Sequence, residues 1–171
     1  MSWPMTEQTP SLGSLCRSFG NALRGVGHCL RRERNMRIHL GAAVLVTAFS
    51  AVCTLSPSEY ALLFLTMGVV LAAEALNTAI ERTVDLVTHQ RHPLARAAKD
   101  AAAAGVLLAA LGAAAAGAAL FLPEGRLLEG LARIAGSPLL TAVFLLLAVA
   151  ALVFAFFGER LLSPRRRHGK E

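Results

Sequence analysis

Residues 72–85, AAEALNTAIERTVD, decide how the rest of the chain is read. An uncharged apolar run, residues 60–73, leads without a break into Glu74, Asn77, Thr78, Glu81 and Asp85, and apolar residues continue between them. On a helix advancing about 100° per residue, with Glu74 as zero, Asn77 falls near −60°, Thr78 near +40°, Glu81 near −20° and Asp85 near +20°. The five polar side chains share one face. Ionisable groups at membrane depth are costly and normally face a protein interior or a wet cavity, so the stretch reads as a site on a membrane helix. A solvated stripe is the plainer alternative, but the opposite face is Ala, Leu, Ile and Val. A structural polar seam between membrane helices would use the same residues.

The rest of the chain is of one kind with this stretch. It has 171 residues, 55% of them hydrophobic, and a mean hydropathy of +0.55. That is one domain's length. A membrane span needs about 20 apolar residues to cross a core about 30 Å thick. Residues 40–58, 60–87, 101–123 and 134–158 meet that requirement, and the third and fourth lack the polar face a soluble bundle would show. The sequence predicts an all-α integral membrane protein.

The net charge of +6 would suggest nucleic acid in a soluble chain. Here Arg and Lys fall in three blocks, within residues 17–37, 82–99 and 160–170. The connection between the first two spans has no basic residue, and the one before the last has only Arg126 and Arg133. The blocks alternate with the spans as the positive-inside rule requires, which places both termini in the cytoplasm. Anionic headgroups then account for the charge, and no nucleic acid is implied. No apolar stretch of signal-peptide length precedes the first span. Cys16, Cys29 and Cys53 lack metal-ligand spacing, so free thiols are expected.

In chain order, residues 1–13 read as a flexible tail. Leu12, Leu15, Phe19, Leu23, Val26 and Leu30 then recur every three or four residues, while Arg17, Arg24 and Arg31 recur every seven. That pattern describes a helix lying in the membrane interface. Residues 31–39, RRERNMRIH, stand where the chain enters its first span. Glu33, among five arginines, reads equally as an ion-paired carboxylate or as part of a metal or phosphate site. Ser56-Pro57-Ser58 marks an outer turn, and Glu59 suits the helix start behind it. His92-Pro93 breaks the second long helix. Lys99 and Asp100 open the next at the membrane level of Glu81 and Asp85, which favours one common site. The runs AAAAG and GAAAAGAA in 101–123 permit close helix packing. Residues 123–137 read as an outer connection, 138–158 as a further, lipid-facing span and 159–171 as a basic cytoplasmic tail.

Three blocks carry a resemblance that covers residues 14–122. They are S-F-G-N-A-L-R-G at Ser18, E-R-N-M-R-I-H at Glu33, and E-A-L-N-T-A-I-E-R-T-V-D at Glu74 with Lys99-Asp100 behind it. Together they resemble the small prokaryotic lipid kinases that include diacylglycerol kinase and undecaprenol kinase, most closely the undecaprenol kinase branch. The resemblance implies an interfacial helix, three family spans and a homotrimer with active sites shared between chains, in the bacterial cytoplasmic membrane. It implies Glu74 as the base that takes the proton from the lipid hydroxyl, oriented by Asn77, and Glu33 and Glu81 as the carboxylates holding Mg²⁺ on ATP. Gln90, Arg91, His92, Lys99 and Asp100, with Glu33 and Glu81, would contact the nucleotide. Asn35, Met36 and Arg37, with Glu74, would lie near the lipid alcohol. Asn21 stands where some members carry an aromatic residue, and the fourth span is an addition to the family's three.

The chemistry suits the residues. Phosphoryl transfer needs positioning and cations around the phosphates, which carboxylates for Mg²⁺ and a lysine supply. No P-loop or protein-kinase glycine motif is present. The sequence thus points to ATP- and Mg²⁺-dependent phosphorylation of undecaprenol, with diacylglycerol as the alternative acceptor. A non-catalytic membrane partner or small carrier is the reading from another class.

Overall fold

Local signals in the chain set the starts of the two longest helices. The computed structural model describes residues 12–88 and 90–162. The expectations for the first eleven residues, and for the basic tail from residue 163 onward, lie outside the described residues. Helix α1 spans Leu12–Arg32, α2 Arg34–Ser50, α3 Pro57–Val87 and α4 Pro93–Phe121. A 3-10 turn at Pro123–Gly125 leads into α5, Arg126–Ala135, and α6, Pro138–Leu162. No strand occurs among the described residues.

Glu33 adopts an extended conformation, φ −102° and ψ 116°, and so divides α1 from α2. Ser56 and Glu59 form a capping box in which each side chain accepts the other's backbone N–H, at 3.3 and 2.7 Å. With Pro57 in the first turn, this fixes the start of α3. At α4 the cap is His92, whose Nδ1 accepts the Leu94 N–H at 3.2 Å, again followed by proline.

Among the described residues three helices are long and apolar enough to cross a membrane. They are α3, α4 and α6, with 31, 29 and 25 residues and mean hydropathies of 1.7, 2.1 and 2.9. The chain is a multi-pass, all-α membrane protein over its described residues. Helix α2, read from sequence as a full span, has 17 residues. At 1.5 Å per residue it covers about 26 Å, a little less than a hydrocarbon core of about 30 Å. Helix α1 leaves Leu12, Phe19, Leu23 and Val26 exposed along one side, as an interfacial helix should. Cys16, Cys29 and Cys53 are free thiols.

Helices α3 and α4 pack along each other as a hairpin, and α6, the added span, lies on α2 with further contacts to α1 and α5. Small residues allow the α2–α6 approach: a Cβ on Gly41 would lie 3.1 Å from the Ala151 Cβ. A Cβ on Gly158 would lie 2.5 Å from the Arg37 Cδ. Arg37 is 3% exposed. Its Nη1 donates to the carbonyls of Leu30 and Arg31 at 3.0 and 3.2 Å, and its Nε to the carbonyl of Ala155 at 3.2 Å. The last carbonyls of a helix lack intrahelical partners and carry partial negative charge, so a guanidinium there is well matched. One side chain thereby ties the end of α1, the start of α2 and the inner part of α6.

The segment read as an outer connection contains α5. Its Gly130 lies against Phe49 and Cys53, and Arg133 Nη1 donates to the carbonyl of Val52 at 2.7 Å. Arg126 pairs with Glu59 at the start of α3. Beneath it Cys53, Leu63, Leu120 and Phe121 form a core, with Phe49 edge-on to Phe121 at a centroid distance of 5.3 Å.

Candidate active site

The spacing of Glu74, Asn77, Thr78 and Glu81 places them along one side of α3, and α2 supplies what faces them. Glu74 is 2% exposed. Nε2 of His39, from α2, stands 3.2 Å from Glu74 Oε1. That approach lacks hydrogen-bond geometry, and Glu74 Oε1 has no hydrogen-bond partner among the described residues. One turn on, Asn77 Nδ2 donates to Glu81 Oε1 at 2.9 Å, which leaves Asn77 Oδ1 buried and equally without a hydrogen-bond partner. The Thr78 hydroxyl donates to the Glu74 carbonyl at 3.0 Å. At the end of this seam nearest the α1–α2 break Glu33 pairs with Arg82 at 3.5 Å.

Intact carboxylates at this depth need a reason. Glu33 and Glu81 both interact electrostatically with Glu74, as does His39. No three His, Cys, Asp or Glu side chains come together as a metal cage among the described residues. Magnesium is commonly held by one or two carboxylates together with substrate phosphates and waters. Glu33 and Glu81, each within electrostatic reach of Glu74, carry the oxygen donors that such an ion takes.

The other predicted residues gather on the α4 side of α3. Lys99 Nζ lies 2.5 Å from Asp85 Oδ1. Gln90, Arg91, His92, Lys99 and Asp100 line one open cleft of about 720 Å³ at the turn between α3 and α4, together with Asp85 and Arg96. Asp100 pairs with Arg96 at 3.6 Å, and His92 serves as the α4 cap. The lipid-side group is divided. Asn35 is exposed and Met36 buried, while Arg37 faces α1 and α6.

His39 is the residue that sequence reasoning quoted within a motif but gave no role. No pattern within α2 signals it: His39 meets Glu74 because α2 and α3 pack side by side with the Glu33–Arg82 pair at one end. His39 also forms one end of an apolar groove of about 360 Å³ between α2, α3 and α4.

The family model for prokaryotic diacylglycerol kinase matches residues 20–121, from within α1 to the end of α4. The added helices α5 and α6 lie beyond the match. An undecaprenol kinase of Bacillus subtilis is 43% identical over 113 residues, covering 66% of this chain and 92% of that protein. A diacylglycerol kinase of Synechocystis is 43% identical over 107 residues, 62% of this chain and 61% of the relative. A diacylglycerol kinase of Pseudomonas aeruginosa is 33% identical over 106 residues, 62% of this chain and 85% of the relative. No solved structure matches the chain.

Proposed function

The chain belongs to the prokaryotic diacylglycerol kinase family and is a membrane lipid kinase, and on that premise we propose that it phosphorylates undecaprenol with ATP. The observation that carries the reading is the pair of buried oxygens, Glu74 Oε1 and Asn77 Oδ1, that lack a hydrogen-bond donor one turn apart on a membrane helix. Buried acceptors are ordinarily satisfied. A carboxylate oxygen can accept more than one donor, and a lipid hydroxyl would bring one to the position where its proton must leave.

In the proposed reaction Glu74 takes the hydroxyl proton as the alcohol oxygen bonds to the terminal phosphorus of ATP. The bond from that phosphorus to the bridging oxygen breaks, ADP departs, and the proton on Glu74 returns to solvent. Asn77, tied to Glu81, would offer its buried Oδ1 one turn away. Glu81 stands about 10 Å nearer the cytoplasm than Glu74, at 1.5 Å per residue. That separation suits a reaction between a lipid acceptor and a water-borne donor. Lys99, with Gln90, Arg91, His92 and Asp100 around the cleft, would hold the nucleotide. Mg²⁺ held with ATP by Glu33 and Glu81 would supply positive charge to the phosphate oxygens. Asn35, at the start of α2, would meet the lipid headgroup level.

We further propose a homotrimer with sites shared between chains, in the bacterial cytoplasmic membrane with both termini inside. The three basic blocks support that orientation. Diacylglycerol is the second reading of the acceptor, favoured by the names of two of the relatives. The test presents purified protein with ATP, Mg²⁺ and both lipids in one mixed micelle. Undecaprenyl phosphate should be the main product. Preferential formation of phosphatidic acid would reverse the assignment.

A further inference from the structure

We propose that His39 is the positioning residue of Glu74, holding its carboxylate in the orientation that meets the acceptor hydroxyl. This deepens the reading of Glu74 as the base and rests on it. A glutamate side chain has three rotatable bonds, and a buried carboxylate needs a donor to select one orientation. Its neighbours on α3 do not serve Oε1: the Thr78 hydroxyl donates to the Glu74 backbone carbonyl, and the Asn77 amide donates to Glu81. Glu33 and Glu81 act on Glu74 as like charges. His39 Nε2, 3.2 Å away, is the nitrogen that reaches Oε1 from the opposite helix. Its approach is out of hydrogen-bond line, as hydrogen bonds at reacting groups often are before substrate binds.

The fold gives His39 a fixed base to act from. Arg37 lies two residues earlier, so at about 100° per residue it points about 200° away around α2. Arg37 is locked to the end of α1 and to α6, and this sets the rotation of α2 that turns His39 toward Glu74. His39 also lines the apolar groove, so the imidazole stands where an alcohol approaching Glu74 from the hydrocarbon side would pass. What the site requires of residue 39 is an N–H at that distance. An amide of similar reach supplies it, and a hydrocarbon or a shorter amide does not.

The experiment uses full-length protein in micelles, wild type beside His39→Gln, His39→Leu, His39→Asn and Glu74→Gln. Loss of a positioning contact at a reacting group costs up to about 100-fold in rate. His39→Leu and His39→Asn should lower kcat about 10- to 100-fold with KM for lipid and ATP nearly unchanged, whereas His39→Gln should restore most of the rate. A second readout needs no activity: the rate at which dicyclohexylcarbodiimide, a membrane-soluble carboxyl reagent, modifies Glu74, followed by mass spectrometry. Labelling should be several-fold faster in His39→Leu and His39→Asn, where no nitrogen reaches the carboxyl, and near wild type in His39→Gln. Equal labelling in all the position-39 variants would overturn the proposal, and so would a kcat that ignores residue 39. Full activity in Glu74→Gln would remove the base reading, while the labelling rates would still decide the contact itself.

Discussion

Replacing Arg37 with methionine should open the junction of α1, α2 and α6, and a cysteine already in place can report it. Methionine keeps the apolar stem of the side chain but withdraws its donors from the carbonyls of Leu30, Arg31 and Ala155. Each such hydrogen bond from a charged group contributes about 1.5 kcal/mol or more, so the three together contribute about 4.5 kcal/mol. Removing a buried charge recovers part of this through desolvation, which puts the loss at about 1.5–3 kcal/mol. Cys29 sits at the end of α1 beside two of these carbonyls and is 7% exposed. In a Cys16→Ser, Cys53→Ser background, its reaction with a maleimide requires local opening, and each 1.4 kcal/mol lost raises the rate about tenfold. Arg37→Met should therefore react about 10- to 100-fold faster than the parent. A change below about threefold would show that the guanidinium is not what holds α6 and α1 to α2.

Other perturbations follow from single contacts. Gly158→Leu, which places a side chain into Arg37, should accelerate Cys29 labelling in the same direction. Gly130→Val should lower the thermal midpoint in detergent, since a Cβ there would lie 2.7 Å from the Phe49 ring, and overpacking of this kind costs about 1–3 kcal/mol. Lys99→Met should raise KM for ATP about tenfold or more while leaving lipid KM in place, with Lys99→Arg intermediate, because a positive charge at the phosphates is what is removed.

The helices were legible because their signals are local. The uncharged runs, the Ser56–Glu59 start and the His92-Pro93 break each depend on residues within one turn, and the structure begins α3 and α4 there. The polar face of α3 was legible for the same reason, as helical spacing alone aligns Glu74, Asn77 and Glu81. Helix α5 is hard to see in the sequence because it is ten residues long and docks through Gly130 on Phe49 and Cys53 of a distant segment. Arg37 shows the other limit. The resemblance places it near the lipid alcohol, and in the structure its hydrogen bonds go to Leu30 and Arg31 at the end of α1 and to Ala155, far along the chain in a helix outside the family match. His39 likewise acquires its partner from a second helix, and no pattern within α2 announces it.

The central claim, a lipid kinase whose base is Glu74, is tested most directly by transfer of the terminal phosphate of ATP to undecaprenol by purified wild type and Glu74→Gln protein with Mg²⁺. Removal of a general base typically lowers the rate by about 10²- to 10⁴-fold. The account predicts undecaprenyl phosphate from the wild type and a loss of that size in the variant. Transfer that survives Glu74→Gln, or wild type that binds ATP and phosphorylates no lipid alcohol, would contradict it.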